Sequence, residues 1–491
     1  MDRSGKIFGN DIPGRVYRKA VRQKERFIRK YGDDSERIYH LSAVPAPAVG
    51  RPLGVQKIVL SEKTGVDFDD RSVIIGNIRM GFGHYRISMA LASAAHSMGY
   101  VPYWFDLHSF AEASCGKIIS GQNQLYSLGS RLSQKSFLFN KLFWEPLNSE
   151  GFRKLSYNAC DQKTAELMTA VYRELPEDIP FVAAHVWPAQ AAVHAGLKNV
   201  VNAIPDNWPM ALHLSEGAIH TVQTPSSYLG YRALRGMDKK HPLRPMPEDS
   251  LVYTGHYVDH ELVSNIEEDC RRRTERAEKG GPRRWLMSVG GAGAQKEIFR
   301  AVIRRLLPEI KKGRAVLMIN VGDHDSVWHE LIKDVPQMKG CLTEHFDDFS
   351  DTMKFCADAY DGGISGIHAF CHSDIFAAVY STNLLMRIAD VLITKPSELS
   401  FYPVPKLMIK RVGGHEAWGA IRSAEVGDGT YECASAAETG AMLSLIQNNG
   451  DIIVKMCENI IAAKKAGIYD GAYKAVELAV SRKKPNSPVQ A

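Results

Sequence analysis

An apolar run at residues 73–75 leads through Gly81-Phe82-Gly83-His84 into a segment where Ile87, Leu91, Ala94, Ala95 and Met98 recur at helical spacing until Gly99. A buried strand, a glycine turn and an amphipathic helix in that order commit the chain to an α/β architecture with a parallel sheet. Gly81 and Gly83 let backbone and ligand approach closely, and the helix start offers N–H groups with a partial positive charge. His84 at that place reads either as a catalytic or ligand-binding group or as a helix cap. The dinucleotide fingerprint is not met, because His84, Tyr85 and Arg86 follow Gly81-x-Gly83 and the third glycine is missing. Asp106, at the end of the next predicted strand (101–105), stands where a ribose-binding acid would lie.

The rhythm continues with predicted strands at 181–184, 200–204 and 219–223, and it restarts after a charged stretch containing Gly280-Gly281-Pro282. In the second half, 285–289 reads as a strand, 290–295 as a glycine loop, and Ile298, Val302, Leu306 and Ile310 as a helix stripe before a strand at 315–321. Strands at 391–394 and 406–409 flank the loop Lys395-Pro396-Ser397-Glu398. The expected organisation is a basic N-terminal extension (1–70), a Rossmann-like domain (71–265), a linker (266–284), a second Rossmann-like domain (285–450), and a C-terminal helix and tail (451–491). Two doubly wound halves of this kind place the carboxyl ends of two sheets across a cleft, where such sheets bind ligands. The glycine loop at 290–295 reads either as an anion-binding turn or as a close-packed one.

At 491 residues the chain is too long for one core, which agrees with two domains. No run approaches the apolar length of a membrane span, the N-terminus lacks the apolar core of a signal peptide, and the eight cysteines form no CxxC pair. A cytoplasmic protein with reduced thiols is expected. The net charge of +6 is mild, but cations cluster at residues 15–30, at Arg271 to Arg273, and at Lys239, Lys240 and Arg244. Solvated helix faces account for such clusters, and so does contact with anionic headgroups. No nucleic-acid motif accompanies them. There is no Walker A loop and no G-x-S-x-G elbow. His368-x-x-x-His372-x-Asp374 has helix-compatible metal spacing but no further ligands, so no metal is expected.

Together these pieces resemble the two-domain GT-B glycosyltransferases that include monogalactosyldiacylglycerol synthase, bacterial diacylglycerol glucosyltransferases and peptidoglycan N-acetylglucosaminyltransferase. Gly81-Phe82-Gly83-His84 with Ser88, Ala90 and Leu91 looks like that family's first loop. Gln223-Thr224-Pro225-Ser226 and Thr254-Gly255-His256-Tyr257-Val258 are similar to its strand ending in P-S and its T-G-x-P-V turn. Residues 287–295 look like the loop that opens its donor domain. Ser397-Glu398 before Val404-Pro405-Lys406-Leu407-Met408, and Gly414-His415-Glu416-Ala417 before Gly427-Asp428-Gly429, resemble its C-terminal motifs. The departures are Thr394-Lys395-Pro396 where Gly or Ser is usual, His415 for Gln, and Gly419 for Asn.

The resemblance implies an inverting transferase with no metal or other cofactor, moving a sugar from a nucleotide sugar, with UDP as the expected nucleotide, to a lipid or isoprenoid-linked acceptor. His84 would be the base or orient the acceptor, and Asp206 would orient His84 or the acceptor. Gly290, Gly291 and Gly293 would approach the diphosphate, Lys395 would add charge, and Ser397 belongs to the same loop. Glu398 would take the ribose hydroxyls, and His415 and Glu416 would lie near the donor sugar. A stripe at 125–155 with Phe137, Phe143 and Trp144 suits peripheral docking on the inner face of an anionic membrane. Two alternatives share the fold: a sugar-nucleotide 2-epimerase, and a non-catalytic sugar-nucleotide-binding protein.

Overall fold

In a computed structural model, which describes residues 2–63, 65–79, 81–135, 151–289 and 295–482, the chain divides into two compact units. Met1–Ala46, Leu53–Tyr257 and Gly471–Ala491 form the first, and Pro47–Pro52 with Val258–Asp470 form the second.

The first unit opens with a short antiparallel ladder of β1 (Lys6–Ile7) and β2 (Asn10–Asp11). Its eight-stranded sheet comprises β3 (His40–Pro45), β4 (Gln56–Ser61), β5 (Ser72–Asn77), β6 (Val101–Asp106), β7 (Phe181–Ala183), β8 (Val200–Ala203), β9 (Ile219–Val222) and β10 (Leu251–Tyr253). The order is β10-β9-β8-β7-β5-β6-β4-β3, parallel except for the β3–β4 pair. Every residue of β5, β7, β8 and β9 is buried, as a sheet covered on both faces requires. From β5 the chain moves to β6 on one side and later returns to β7 on the other. Helix Phe82–Ser97 therefore starts at the reversal, where open α/β sheets bind ligands.

The second unit repeats the plan with β11 (Arg283–Ser288), β12 (Ala315–Asn320), β13 (Leu342–Phe346), β14 (Gly366–Cys371), β15 (Val391–Thr394) and β16 (Lys406–Met408). The order β13-β14-β12-β11-β15-β16 is parallel throughout and reverses between β11 and β15.

Several expectations differ from what is found. The N-terminal extension is part of the first unit: β3 and β4 extend its sheet, and helix Gly14–Tyr31 packs on helix Leu155–Ala165 through Ala20 and its apolar face. The stretch expected as a linker is helix Ile266–Glu278 followed by β11, and Ile266, Asp269, Cys270 and Arg273 of that helix are buried. Its charges misled because they are paired along the helix or, at Asp269 and Arg273, buried. Arg271 and Arg272 pair with Glu268, while Arg273 donates to the carbonyls of Ala389 and Met386, which close the end of a neighbouring helix. The expected single terminal helix is two, Gly450–Lys465 in the second unit and Gly471–Val480 in the first, where the latter packs on helix Phe82–Ser97.

Candidate functional site

Three adjacent strand ends of the first unit carry the polar groups. After β5, Gly81 takes φ 81°, a conformation that costs a glycine little, and the helix begins at Phe82. His84 in its first turn places Nδ1 2.8 Å from the carbonyl oxygen of Ala184, just past β7. A carbonyl only accepts, so Nδ1 carries the hydrogen, and in the neutral ring Nε2 is the lone-pair nitrogen. The Ala184 carbonyl thus sets the tautomer of His84.

His185 follows on the same loop. Its Nδ1 accepts from the Trp187 N–H at 3.1 Å, which caps helix Val186–His194, and its ring stands edge-to-face with His84 at 4.6 Å between centroids. Burial first, then the charges of His84 and His213, hold its pKa well below the ordinary value. It stays neutral beside His84.

Asp206 lies past β8 in Pro205-Asp206-Asn207. Gln223 Nε2 donates to the Pro205 carbonyl at 2.7 Å, and Asn207 Oδ1 accepts from Thr224 Oγ1 at 3.2 Å and Ser227 Oγ at 3.0 Å. The Q-T-P-S segment therefore serves the site by clamping this loop. Its Thr224 also caps helix Pro225–Arg232 by accepting from Ser227 N, with Pro225 at the first turn. Asp206 Oδ2 lies 3.3 Å from Nε2 of buried His213. Asp106, by contrast, is occupied structurally: it accepts from the Tyr85 hydroxyl and from the His108 N–H at 2.9 Å, and burial raises its pKa.

In the second unit the loop after β15 brings Lys395 to Glu416. One oxygen of Glu416 meets Lys395 Nζ; the other accepts from Val412 N at 2.7 Å and Gly413 N at 3.2 Å. Glu416 therefore holds its own loop and the lysine, and the sequence reading missed that capping role. His415 packs its ring against Gly413, and Ser397 and Glu398 open a short 3-10 turn at the same strand end. The glycine at position 419 has a steric reason: a Cβ there would stand 2.8 Å from Ser400 Oγ and 3.2 Å from the Pro396 carbonyl. Gly290, Gly291 and Gly293 lie outside the described residues, as do Phe137, Phe143 and Trp144.

His368 and His372 do not share a helix. His368 is on β14, with Nε2 donating to Ser365 O at 3.0 Å and Nδ1 3.2 Å from His345 Nε2, while His372 meets Thr352 Oγ1 at 3.1 Å. No metal-ligating group of three occurs among the described residues. All eight cysteines are free. No described helix is long and apolar enough to cross a membrane.

His185, His213 and Tyr231 were not read from sequence. His185 carried a signal, since a histidine directly past a predicted strand and before Trp187-Pro188 sits where ligands bind. His213, in an aperiodic loop, carried none.

The class these features define is a two-unit α/β protein with an order-reversing parallel sheet in each unit. Residues 6–233 match a domain of unknown function (DUF6937), and residues 246–480 match another (DUF6938). No curated protein sequence matches the chain. Among solved structures, it is similar to UDP-GlcNAc 2-epimerase from Neisseria meningitidis bound to UDP-GlcNAc, at 12% identity and TM-score 0.44, over 84% of this chain and 98% of that one. It is also similar to α,α-trehalose 6-phosphate synthase from Burkholderia multivorans (11%, 0.43, 84% and 98%) and to a glycosyltransferase from Rickettsia africae ESF-5 (12%, 0.37, 85% and 100%). These scores lie below 0.5, so the fold stands on the strand orders given above.

Proposed function

We propose that the protein is a sugar-nucleotide enzyme of the GT-B type that moves a sugar from a UDP-sugar to the hydroxyl of a lipid or isoprenoid-linked acceptor. The observation that carries this reading is the tautomer of His84. With Nδ1–H donated to Ala184 O, Nε2 accepts the proton of an attacking hydroxyl, and the carbonyl dipole favours the imidazolium that results. In the transfer, the acceptor oxygen loses that proton to Nε2 and bonds to the anomeric carbon, while the bond from that carbon to the diphosphate breaks and its electron pair leaves with the diphosphate. His185, held neutral, adds no competing charge.

On the donor side Lys395, paired with Glu416, would supply a cation, and Glu398, which opens the 3-10 turn after β15, would accept from a ribose. A lipid acceptor is supported by two surfaces of the first unit. Helix Gly14–Tyr31 turns Arg15, Arg18, Lys19, Arg22, Arg26, Arg29 and Lys30 outward, and helix Ser114–Lys135 exposes Leu125 and Leu132. Arg153, which falls within the 125–155 stripe, is buried against Trp208.

The test pairs two variants with a thermal-shift screen of UDP and UDP-sugars. Glu398→Ala is expected to weaken UDP binding by about 1.5–3 kcal/mol, and His84→Ala to leave binding intact while lowering transfer by about 10²–10⁴. No stabilisation by any nucleotide sugar would end the reading, and conversion of a UDP-sugar without acceptor would move it to the epimerase class. Sedimentation with anionic but not neutral liposomes checks the lipid arm; none with either moves the acceptor to a soluble molecule.

A further inference from the structure

Behind Asp206 lies a line of hydrogen bonds that runs into the core of the first unit. Asp206 Oδ2 is 3.3 Å from His213 Nε2, and His213 Nδ1 is 2.6 Å from the Tyr231 hydroxyl. That hydroxyl also accepts from Met210 N at 3.3 Å and stands 3.2 Å from the Trp208 carbonyl. His213 and Tyr231 are buried, and the Asp206 side chain is 37% exposed, so the line has one outer end.

The donors and acceptors can be counted. With the Tyr231 proton directed to His213 Nδ1, the neutral ring carries its hydrogen on Nε2 and donates it to the Asp206 carboxylate. If the line gains a proton, His213 carries hydrogens on both nitrogens. Tyr231 then rotates its own proton to the Trp208 carbonyl and accepts from Nδ1–H. Each partner keeps a hydrogen bond in both states. The other rings near His213 do not compete for the proton. His185 is held neutral by burial, and His220, whose Nε2 accepts from Ser215 N and whose Nδ1 donates to Ser250 O, is held down to about 4 by burial.

We propose that His213 and Tyr231 are positioning residues that hold Asp206 ionised and aimed, through a relay that absorbs one proton by rotation of the Tyr231 hydroxyl. The inference rests on the reading above, in which the first unit handles a hydroxyl acceptor. In it Asp206 accepts a hydrogen bond from the acceptor while His84 takes the reacting proton. Protonating the relay turns the Asp206–His213 contact into a charge-assisted pair with no net charge, so Asp206 stays ionised but accepts the acceptor's hydrogen bond less strongly.

Ring nitrogen-15 spectra of the full-length, histidine-labelled protein read the state of His213 without substrate, and His213→Gln assigns its signals. At high pH the neutral Nε2–H tautomer is expected, gaining its second hydrogen in one step on acidification. Asp206→Asn should move that step to lower pH, because the ring loses the anion it faces. Tyr231→Phe should move it in the same direction by less, since the imidazolium loses an acceptor and charged hydrogen bonds are the stronger ones. An Nδ1–H tautomer at high pH, or a His213 step unmoved by Asp206→Asn in a variant that melts like the wild type, overturns the relay. Failure of the transferase reading looks different: nucleotide sugars leave the melting temperature unchanged while the relay titrates as described.

Discussion

The reversal of the first sheet gathers imidazoles, with His185 kept neutral by burial, whereas the reversal of the second gathers a cation and a carboxylate pinned to backbone N–H groups. His84 meets the His185 ring edge-to-face and donates to the Ala184 carbonyl; Lys395 and Glu416 meet as an ion pair whose second oxygen closes the 412–416 loop. The topology is nearly the same and the chemistry is not. Neutral rings with set tautomers suit proton transfer, and a fixed cation at a strand end suits a phosphate. The contrast extends into the cores. The second unit buries a full ion pair, Lys406 with Asp428 at 2.9 Å, saturated by Tyr402 O, Val404 O, Ser423 Oγ and the Tyr469 hydroxyl. The first unit buries Asp161, whose pKa burial pushes up to about 8 against a smaller opposing effect of Trp187.

The largest effect should come from breaking the paired charge. Asp428→Ala leaves the Lys406 ammonium buried without its carboxylate, and a loss of about 3–5 kcal/mol is expected by urea denaturation. A loss below about 1 kcal/mol would mean that the carbonyls alone hold the lysine, and the contrast between the cores would shrink.

The buried acid of the first unit should respond to pH instead. Asp161 is ionised in the unfolded chain above its ordinary value near 4 but remains protonated in the fold up to about 8. Folding therefore takes up a proton in that window, and this group's contribution falls as pH rises from 4 to 8, by at most about 1.4 kcal/mol per pH unit. Above 8 the penalty is constant. Asp161→Asn removes it, so the variant's stability relative to wild type should climb between pH 5 and 8 and then level. A flat difference across that range would place Asp161 in a polar setting.

How much of this was legible in the sequence follows from what each signal depends on. β5, β6, β11 and β15 each contain an uninterrupted apolar run and were readable to within a residue or two at each end for that reason. β13 and β14 were not, because His345 and His368 break the apolar pattern while bonding each other across the strand pair. His84 was found because the turn that holds it is local. Its partner, the carbonyl of Ala184, lies 100 residues away, and a backbone acceptor leaves no mark in a sequence. Glu416 was visible as a residue; its cap on Val412 N and Gly413 N is local and was missed, whereas its pairing with Lys395, from another strand end, leaves no mark in the sequence.

The smallest expected effect separates the two units most cleanly, because the same local change is made in both. Thr224 caps helix Pro225–Arg232 and Ser435 caps helix Ala436–Asn448, each accepting from a backbone N–H three residues on. Replacing either by alanine should cost about 1 kcal/mol. Thr224 also bonds Asn207 and so steadies the loop that bears Asp206, whereas Ser435 accepts only at its own helix start among the bonds described. Thr224→Ala should therefore alter the His213 ring signals through Asp206, and Ser435→Ala should leave them unmoved. If both variants disturb His213, the signal reports global loosening. If neither does, the Thr224–Asn207 contact is not what fixes Asp206, and the clamp on that loop reduces to Ser227 on Asn207 and Gln223 on the Pro205 carbonyl.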